Sequence, residues 1–155
     1  MAGEEELRIK KIKDGTVIDH IRAGHALFVL KILGMFIQED RIVSIAMNVP
    51  SRKLGRKDIV KVEGLELKTD EIDKIALIAP EATINIVRNF MIVDKQKVKL
   101  PKVIKGIVKC DNLKCVSNAM EPMQSTFFVE NEDPVRLRCY YCNRVMERAD
   151  VLKQF

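Results

Sequence analysis

Four cysteines are the residues of this chain whose type and spacing most directly imply chemistry. Cys110 and Cys115 are separated by four residues, Cys139 and Cys142 by two, and 23 residues lie between the pairs. Two tight knuckles that each supply two thiolates are what a tetrahedral zinc ion requires, with sulfur about 2.3 Å from the metal. All four positions are then filled by protein and no bound water is left to be activated, so the expected zinc site is structural. In a reducing compartment such pairs read as a metal site before they read as disulfides. A fragment of about 50 residues seldom gathers enough core to fold unaided, and structural zinc contributes about 10 to 16 kcal/mol in small modules.

A second constellation is basic. Between Ser51 and Lys61, the cations Arg52, Lys53, Arg56, Lys57 and Lys61 meet a single acid, Asp58. The footprint suits a compact anion better than a long nucleic-acid backbone. On an extended strand Lys57 and Lys61 share a face and lie about 13 Å apart. One then reaches a phosphate and the other a sugar or base edge. Asp19 and His20, at the end of a strand, add a carboxylate for hydroxyl groups and an imidazole for phosphate. The same residues also fit a plainer role, with the lysines as a solvated strand edge and His20 as an ordinary half-buried histidine.

The elements that must carry these groups follow from periodicity. Leu7 to Ile12 and Thr16 to Ile21 are β-rich runs about Asp14-Gly15, which predicts a hairpin. Apolar positions 23, 26, 27, 30 and 33 have helical spacing, with Gly34 where a C-cap belongs. Arg41 to Val49 reads as a strand stopped by Pro50, and Ile59 to Val62 as another. Thr69 is placed to cap a second helix that ends before Pro80. Ala82 to Val87 and Phe90 to Val93 form a second hairpin about Arg88-Asn89. The class is α+β: a mostly antiparallel N-terminal sheet with two helices on one face, then a small antiparallel β domain around the metal. The charged stretch from Lys95 to Lys102, with Pro101, marks the boundary, giving domains over 1–101 and 102–155.

Composition excludes several classes. The longest apolar runs are five residues, such as Ala26 to Leu30, against roughly 20 for a membrane span. The acidic start lacks the features of a secretory signal, so a cytoplasmic protein without membrane association is expected. The formal charge of +5 divides as +3 over residues 1–101 and +2 over 102–155, little for a nucleic-acid binder. There are two histidines, and the hydrolase, zinc-protease, Walker and dinucleotide-binding motifs are absent. No catalytic residue is assigned.

Several separate motifs, in order, carry a resemblance: Gly15-Thr16-Val17-Ile18-Asp19-His20-Ile21, Asn48-Val49-Pro50-Ser51, Leu54-Gly55-Arg56-Lys57-Asp58, and Ala79-Pro80-Glu81-Ala82-Thr83-Ile84-Asn85. Together with the cysteine spacing, the chain from about Leu7 onward resembles the regulatory chain of aspartate carbamoyltransferase. The resemblance implies a non-catalytic allosteric subunit in pyrimidine biosynthesis that binds CTP, UTP and ATP and holds catalytic chains through a zinc domain. It also implies regulatory-chain homodimers, assembled as two catalytic trimers with three regulatory dimers. Position by position, Ile9, Ile12 and Val17 would line the base pocket, with main-chain groups near Ile12 and Phe90 reading the base edge. Asp19 would meet the ribose, Lys61 ribose and base, and His20 and Lys95 the phosphates. Lys57 and Asn85 would add contacts, and Val87 and Ile92 an apolar wall. Asn112, Lys114 and Tyr141 would face the catalytic chain. Phe90 stands where a tyrosine is frequent, Lys114 where an asparagine is, and Asn143 where an acid is.

Two other readings compete. In a zinc-ribbon nucleic-acid binder Phe127, Phe128, Tyr140 and Tyr141 would stack bases, although paired aromatics on a strand more often place one ring in the core. A stand-alone nucleotide sensor would have no large partner.

Overall fold

The structure is a computed structural model that describes residues 11–34, 40–119 and 123–155. The first half forms β1 (Gly15–Arg22), α1 (Ala26–Ile32), β2 (Val43–Ser51), β3 (Gly55–Glu63), α2 (Thr69–Ile78), β4 (Thr83–Arg88) and β5 (Met91–Lys97). Its strands pair antiparallel in the order β2-β3-β1-β4-β5. The second half forms β6 (Val103–Lys105), β7 (Thr126–Glu132), β8 (Val135–Cys139), β9 (Val145–Glu147) and the short α3 (Arg148–Leu152), with the strands paired in sequence order. This is the expected α+β arrangement. No described helix is long and apolar enough to cross a membrane.

Alternation assigns the two faces of the first sheet. In β3, Asp58, Val60 and Val62 are buried while Lys57, Ile59, Lys61 and Glu63 are half-exposed. Ile18 of β1 pairs with both Val60 and Ile84, so these side chains share the inner face. Ala26, Val29, Leu30 and Ile32 of α1 and Ile75 to Ile78 of α2 complete that core. β1 and β3 approach so closely at Gly15 that a Cβ there would sit 2.2 Å from the Val62 carbonyl oxygen.

One buried acid ties the core's polar ends together. Asp58, with no exposed surface, accepts backbone N–H bonds from Gly24 (2.9 Å), Ala26 (3.0 Å) and Asn48 (2.8 Å). The first two satisfy the start of α1, whose leading amides have no partner inside the helix. The third holds a bulge in β2 between Ala46 and Val49, where Asn48 takes a φ of 59°.

Four local expectations are corrected. β1 is paired on both sides, to β3 and to β4, so no edge remains for a hairpin with the 7–12 run; of that run only Lys11 and Ile12 are described, and neither is in a strand. β2 does not stop at Pro50, because an edge strand has an outer side that needs no N–H. Thr69 is the first helical residue and not the cap; the backbone of Lys68 caps α2, its N–H donating to Glu71 Oε1. The β4–β5 turn lies one residue later, at Asn89-Phe90, both with positive φ, the geometry that matches strand twist in two-residue hairpins.

The two sheets share no rung, but their cores run together through Val98, Leu100 and Ile104. Polar contacts cross the junction as well. Arg22 Nη2 donates to Asp133 Oδ1 and Oδ2 at 2.8 and 2.9 Å, and Arg148 Nη2 lies 3.2 Å from His25 Nδ1. Burial, then Arg148 and Arg22, holds His25 below the usual imidazole range against the pull of Asp58, which suits a neutral ring accepting from Arg148.

Asp58→Ala leaves three N–H groups without an acceptor, at about 1 to 3 kcal/mol each before relaxation. Urea denaturation of the variant should show a loss of about 3 to 5 kcal/mol. A loss below about 1 kcal/mol would mean that the bulge and helix start are held by something else.

Candidate metal centre and outer sheet face

The cysteine knuckles are built by local hydrogen bonds. In the first, Cys115 N–H donates to Asn112 O (2.9 Å), and Asn118 Nδ2 donates to both Cys110 O (2.8 Å) and Asn112 O (2.9 Å). The second is the β8–β9 turn, closed by Cys139 N–H to Arg144 O and Asn143 N–H to Cys139 O, with Asn143 at a φ of 61°. Gln154 from the C-terminal end clamps both backbone groups of Lys109, at 2.8 and 2.7 Å. Arg144 Nε lies 2.7 Å from Asp111 Oδ1 and bridges the knuckles.

The four sulfurs all lie within 4.8 Å of one another, and the Cys110–Cys142 and Cys115–Cys139 pairs are each 3.6 Å apart. A disulfide needs about 2.05 Å. A tetrahedron with zinc-to-sulfur distances of about 2.3 Å has edges of about 3.8 Å. The donor set therefore fits a tetrahedral metal and not a pair of disulfides. Burial pushes the Cys110 and Cys139 thiols up, while Cys142, against the effect of burial, is held down at about 7 by hydrogen bonds from the Arg144 backbone, Asn112 and the neighbouring thiols; a cation at the centre would favour the thiolate form of all four. Ser117 Oγ sits 3.1 Å from Cys115 Sγ, a contact that orients that sulfur.

The second constellation lies on the outer face of the first sheet. Direct register runs through Ser44, Lys61, Val17, Asn85 and Lys95 across all five strands. Paired residues share a face, so Lys61, Val17, Asn85 and Lys95 form one row. The next row toward the end of β1 contains Asp19, Thr83 and Lys97, and the row on the other side Gly15, Val87 and Ile92. A bulge after Ile18 admits His20, at a φ of 58°. Asp19 Oδ1 accepts from His20 N–H at 2.6 Å and pairs with Lys57 Nζ at 2.9 Å, and His20 Nδ1 lies 3.3 Å from Thr83 Oγ1.

Burial and neighbouring cations set the electrostatics of this face. Burial holds His20 below its ordinary value; Asp19 opposes the shift, while Lys57, Lys53 and Lys95 add to it. Burial likewise lowers Lys61, with Asp19 opposing and Lys11 assisting. Asn85 is only 7% exposed and its Oδ1 has no hydrogen-bond partner among the described residues. The gradient runs from apolar Val87 and Ile92, through Val17 and Asn85, to the charged group of Asp19, His20, Lys53 and Lys57.

Most residues implied by the resemblance are thus placed together. Val17, Asp19, Lys57, Lys61, Asn85, Val87, Ile92 and Lys95 share the outer face, and His20 joins them through the bulge. Phe90 is 57% exposed at the β4–β5 turn, its N–H donating to Lys13 O, and Ile12 is buried close by in sequence. Ile9 lies outside the described residues. Asn112 and Lys114 stand in the first knuckle, where Lys114 N–H donates to Asn112 Oδ1, and Tyr141 stands in the second, its hydroxyl donating to Gln124 O. Sequence reasoning did not single out Thr83, Lys53 as a neighbour of His20, or Asn118 and Gln154 as supports of the knuckle. Lys53 had a signal in its place in the basic run, and Thr83 in its place within the last of the quoted motifs. The paired aromatics split as strand alternation requires: Phe127 is in the core, whereas Phe128 and Tyr140 are exposed and meet edge-on, their ring centroids 5.8 Å apart.

Comparison with known proteins covers both halves of the chain. Residues 7–99 match the family model for the aspartate carbamoyltransferase regulatory chain, allosteric domain, and residues 102–152 match its metal binding domain. The chain belongs to that family. It is 51% identical over 152 residues to the aspartate carbamoyltransferase regulatory chain of Korarchaeum cryptofilum, covering 97% of each chain. With the regulatory chain of Methanothrix thermoacetophila it shares 57% identity over 141 residues, 91% of this chain and 92% of that one. With that of Pyrococcus horikoshii it shares 52% over 148 residues, 95% and 97%. The chain is accordingly a regulatory, non-catalytic subunit with allosteric and metal-binding domains.

A soft divalent ion should enter the thiol cluster at one equivalent per chain. Cobalt(II) should give the absorption of a tetrahedral tetrathiolate site, and Cys142→Ser should shift that spectrum and weaken retention against a chelator. An octahedral cobalt spectrum would overturn the assignment.

Proposed function

We propose that the chain binds nucleoside triphosphates, CTP, UTP and ATP, on the outer face of its first sheet. A structural zinc ion in the second domain would hold the surface that carries aspartate carbamoyltransferase catalytic chains. The observation that supports this best is the single face that carries Lys57, Lys61, Lys95, His20 and Asp19 together with Asn85, whose buried Oδ1 has no hydrogen-bond partner among the described residues. The charged end suits the triphosphate, Asp19 and Lys61 the ribose, and Val17, Val87, Ile92, Ile12 and the backbone near Phe90 the base. The division into 1–101 and 102–155 follows the two sheets, so effector and catalytic chain are read by different surfaces of one cytoplasmic subunit.

The zinc would supply a structural crosslink: Cys110 and Cys115 close one knuckle, Cys139 and Cys142 the other. Asn112, Lys114 and Tyr141 project from those knuckles and form the surface offered to the catalytic chain. Leu113, 90% exposed between Asn112 and Lys114, adds apolar area. A regulatory homodimer finds support in β2, an edge strand with Ile42, Val43, Ile45 and Met47 exposed along it. Pairing with a second copy would cover that edge symmetrically. Three such dimers with two catalytic trimers make the proposed assembly.

Lys61→Ala should weaken ATP and CTP binding by about 1.5 to 3 kcal/mol, the value of a charge-assisted hydrogen bond. Unchanged affinity in calorimetric titration would sink the site assignment.

Binding should also take up protons. His20 is held below its usual value, so it is mostly neutral at pH 7; a phosphate beside it favours the imidazolium and raises its pKa. Titrations at pH 7 in two buffers of different ionisation enthalpy should show uptake of a fraction of a proton per nucleotide, reduced in His20→Gln. Equal uptake in both proteins would remove His20 from the phosphate end.

A further inference from the structure

The junction between the two sheets carries an arginine with two carboxylates to choose from. Arg22 ends β1, two residues after His20. Its Nη2 is 2.8 Å from Asp133 in the β7–β8 turn and 3.7 Å from Glu81 Oε1 in the segment before β4. Glu81 is left under-satisfied, its Oε2 being buried with no hydrogen-bond partner among the described residues. A buried carboxylate oxygen without a donor costs free energy that a small movement of Arg22 would recover. Asp133 and Glu81 are both partly exposed, at 35% and 29% of their side chains, so neither position is locked by packing.

The outer face is mechanically joined to this arginine. The bulge that holds His20 at positive φ is fastened by one carboxylate, Asp19, which also pairs with Lys57. An incoming polyphosphate competes with Asp19 for Lys57 and draws His20 toward itself. A non-glycine residue at positive φ in a bulge is held there only by its surroundings. Changing those surroundings moves the next residues along β1, Ile21 and Arg22. The partner segment moves with them, because Thr83, in contact with His20, lies two residues after Glu81.

We infer that Arg22 is a two-position latch: in the structure it holds the metal domain through Asp133, and when a polyphosphate occupies the His20 end it moves onto Glu81 and frees the β7–β8 turn. The inference rests on the nucleotide reading above. The freed turn leads directly into β8, whose last residue is the metal ligand Cys139. Loosening at Asp133 therefore reaches the knuckle that carries Tyr141 without breaking the metal site. Arg148 stays on His25 in both positions and keeps the domains in register. Linkage makes the coupling reciprocal: whatever frees Arg22 from Asp133 must tighten polyphosphate binding by the same factor.

The test uses the full, zinc-loaded chain with ATP and CTP as probes, and compares it with Asp133→Asn and Glu81→Gln. Hydrogen exchange is followed across residues 126–139, and affinity by calorimetry. In the unmodified chain, nucleotide should speed exchange in the β7–β8 turn. Asp133→Asn should show the faster exchange without nucleotide and bind ATP about five-fold tighter, the low end of ordinary coupling factors. Glu81→Gln should bind nucleotide without the change in exchange, since the second seat is gone. If neither nucleotide binds the unmodified chain, the nucleotide reading fails and the latch with it. If nucleotide binds but turn exchange does not rise, or Asp133→Asn binds with unchanged affinity, the latch alone is overturned.

Discussion

The buried carboxylate of Asp58 is the constraint from which most of the first sheet follows. A fully buried acid is costly unless its oxygens are occupied, and here three backbone amides from separate elements converge on it. Each fixes something the local sequence leaves free: where β1 turns into α1, where α1 begins, and where β2 bulges. Its position also sets the phase of β3. With Asp58 turned inward, alternation turns Lys57 and Lys61 outward, so the basic face is a consequence of where one acid is buried.

The second domain rests on a different kind of constraint. Its sheet has four short strands and one five-residue helix, and its fully buried large side chains are Phe127, Leu137 and Met146. Such a core is small for its length, and the four thiols sit at its edge where both knuckles converge. The metal therefore does for this half what Asp58 does for the other, holding turns that packing alone would not. The continuous core through Val98, Leu100 and Ile104, with Arg22 and Arg148 reaching across, means that the two halves share a boundary that has energy in it. Separate tasks on separate sheets do not make them independent bodies.

What could be read from the sequence was what is local. The cysteine pairs announce a metal site through spacing alone, and the alternation of Ile59 to Val62 announces a strand with lysines on its open side. The α+β class follows from the order of the periods. Register is not local, and the misplaced elements all depend on it. Thr16 to Ile21 was free to pair with the preceding run until β3 and β4 took both its edges. Pro50 breaks an interior strand but not an outer one, and nothing near it in sequence says which β2 is. The Asn89-Phe90 turn hides because a phenylalanine at positive φ is uncommon. Asp58 reads as the lone acid in a basic run, and only the fold shows that it points the other way. The members of the outer face were named through the resemblance; Thr83, though it stands inside one of the quoted motifs, was not given a role, because its place opposite Asp19 is a matter of register.

The same register sets the middle of the outer face apart from its sides. β1 and β4 are flanked on both sides, so their outward residues Val17, Thr83, Asn85 and Val87 form a floor, three of them buried despite facing away from the helices. β3 and β5 stand on either side and carry Lys57 and Lys61 along one wall and Lys95 and Lys97 along the other. Three strand spacings put those rows about 14 Å apart at the backbone, the interval the proposed nucleotide would have to occupy. Along β1, the four steps from Gly15 to Asp19 cover about 13 Å at the ordinary rise, the length over which the proposed nucleotide would run from Val87 to His20. Short residues on the central strands and long cations on the flanking ones leave that floor uncovered, because lysines on β1 and β4 would lie across it.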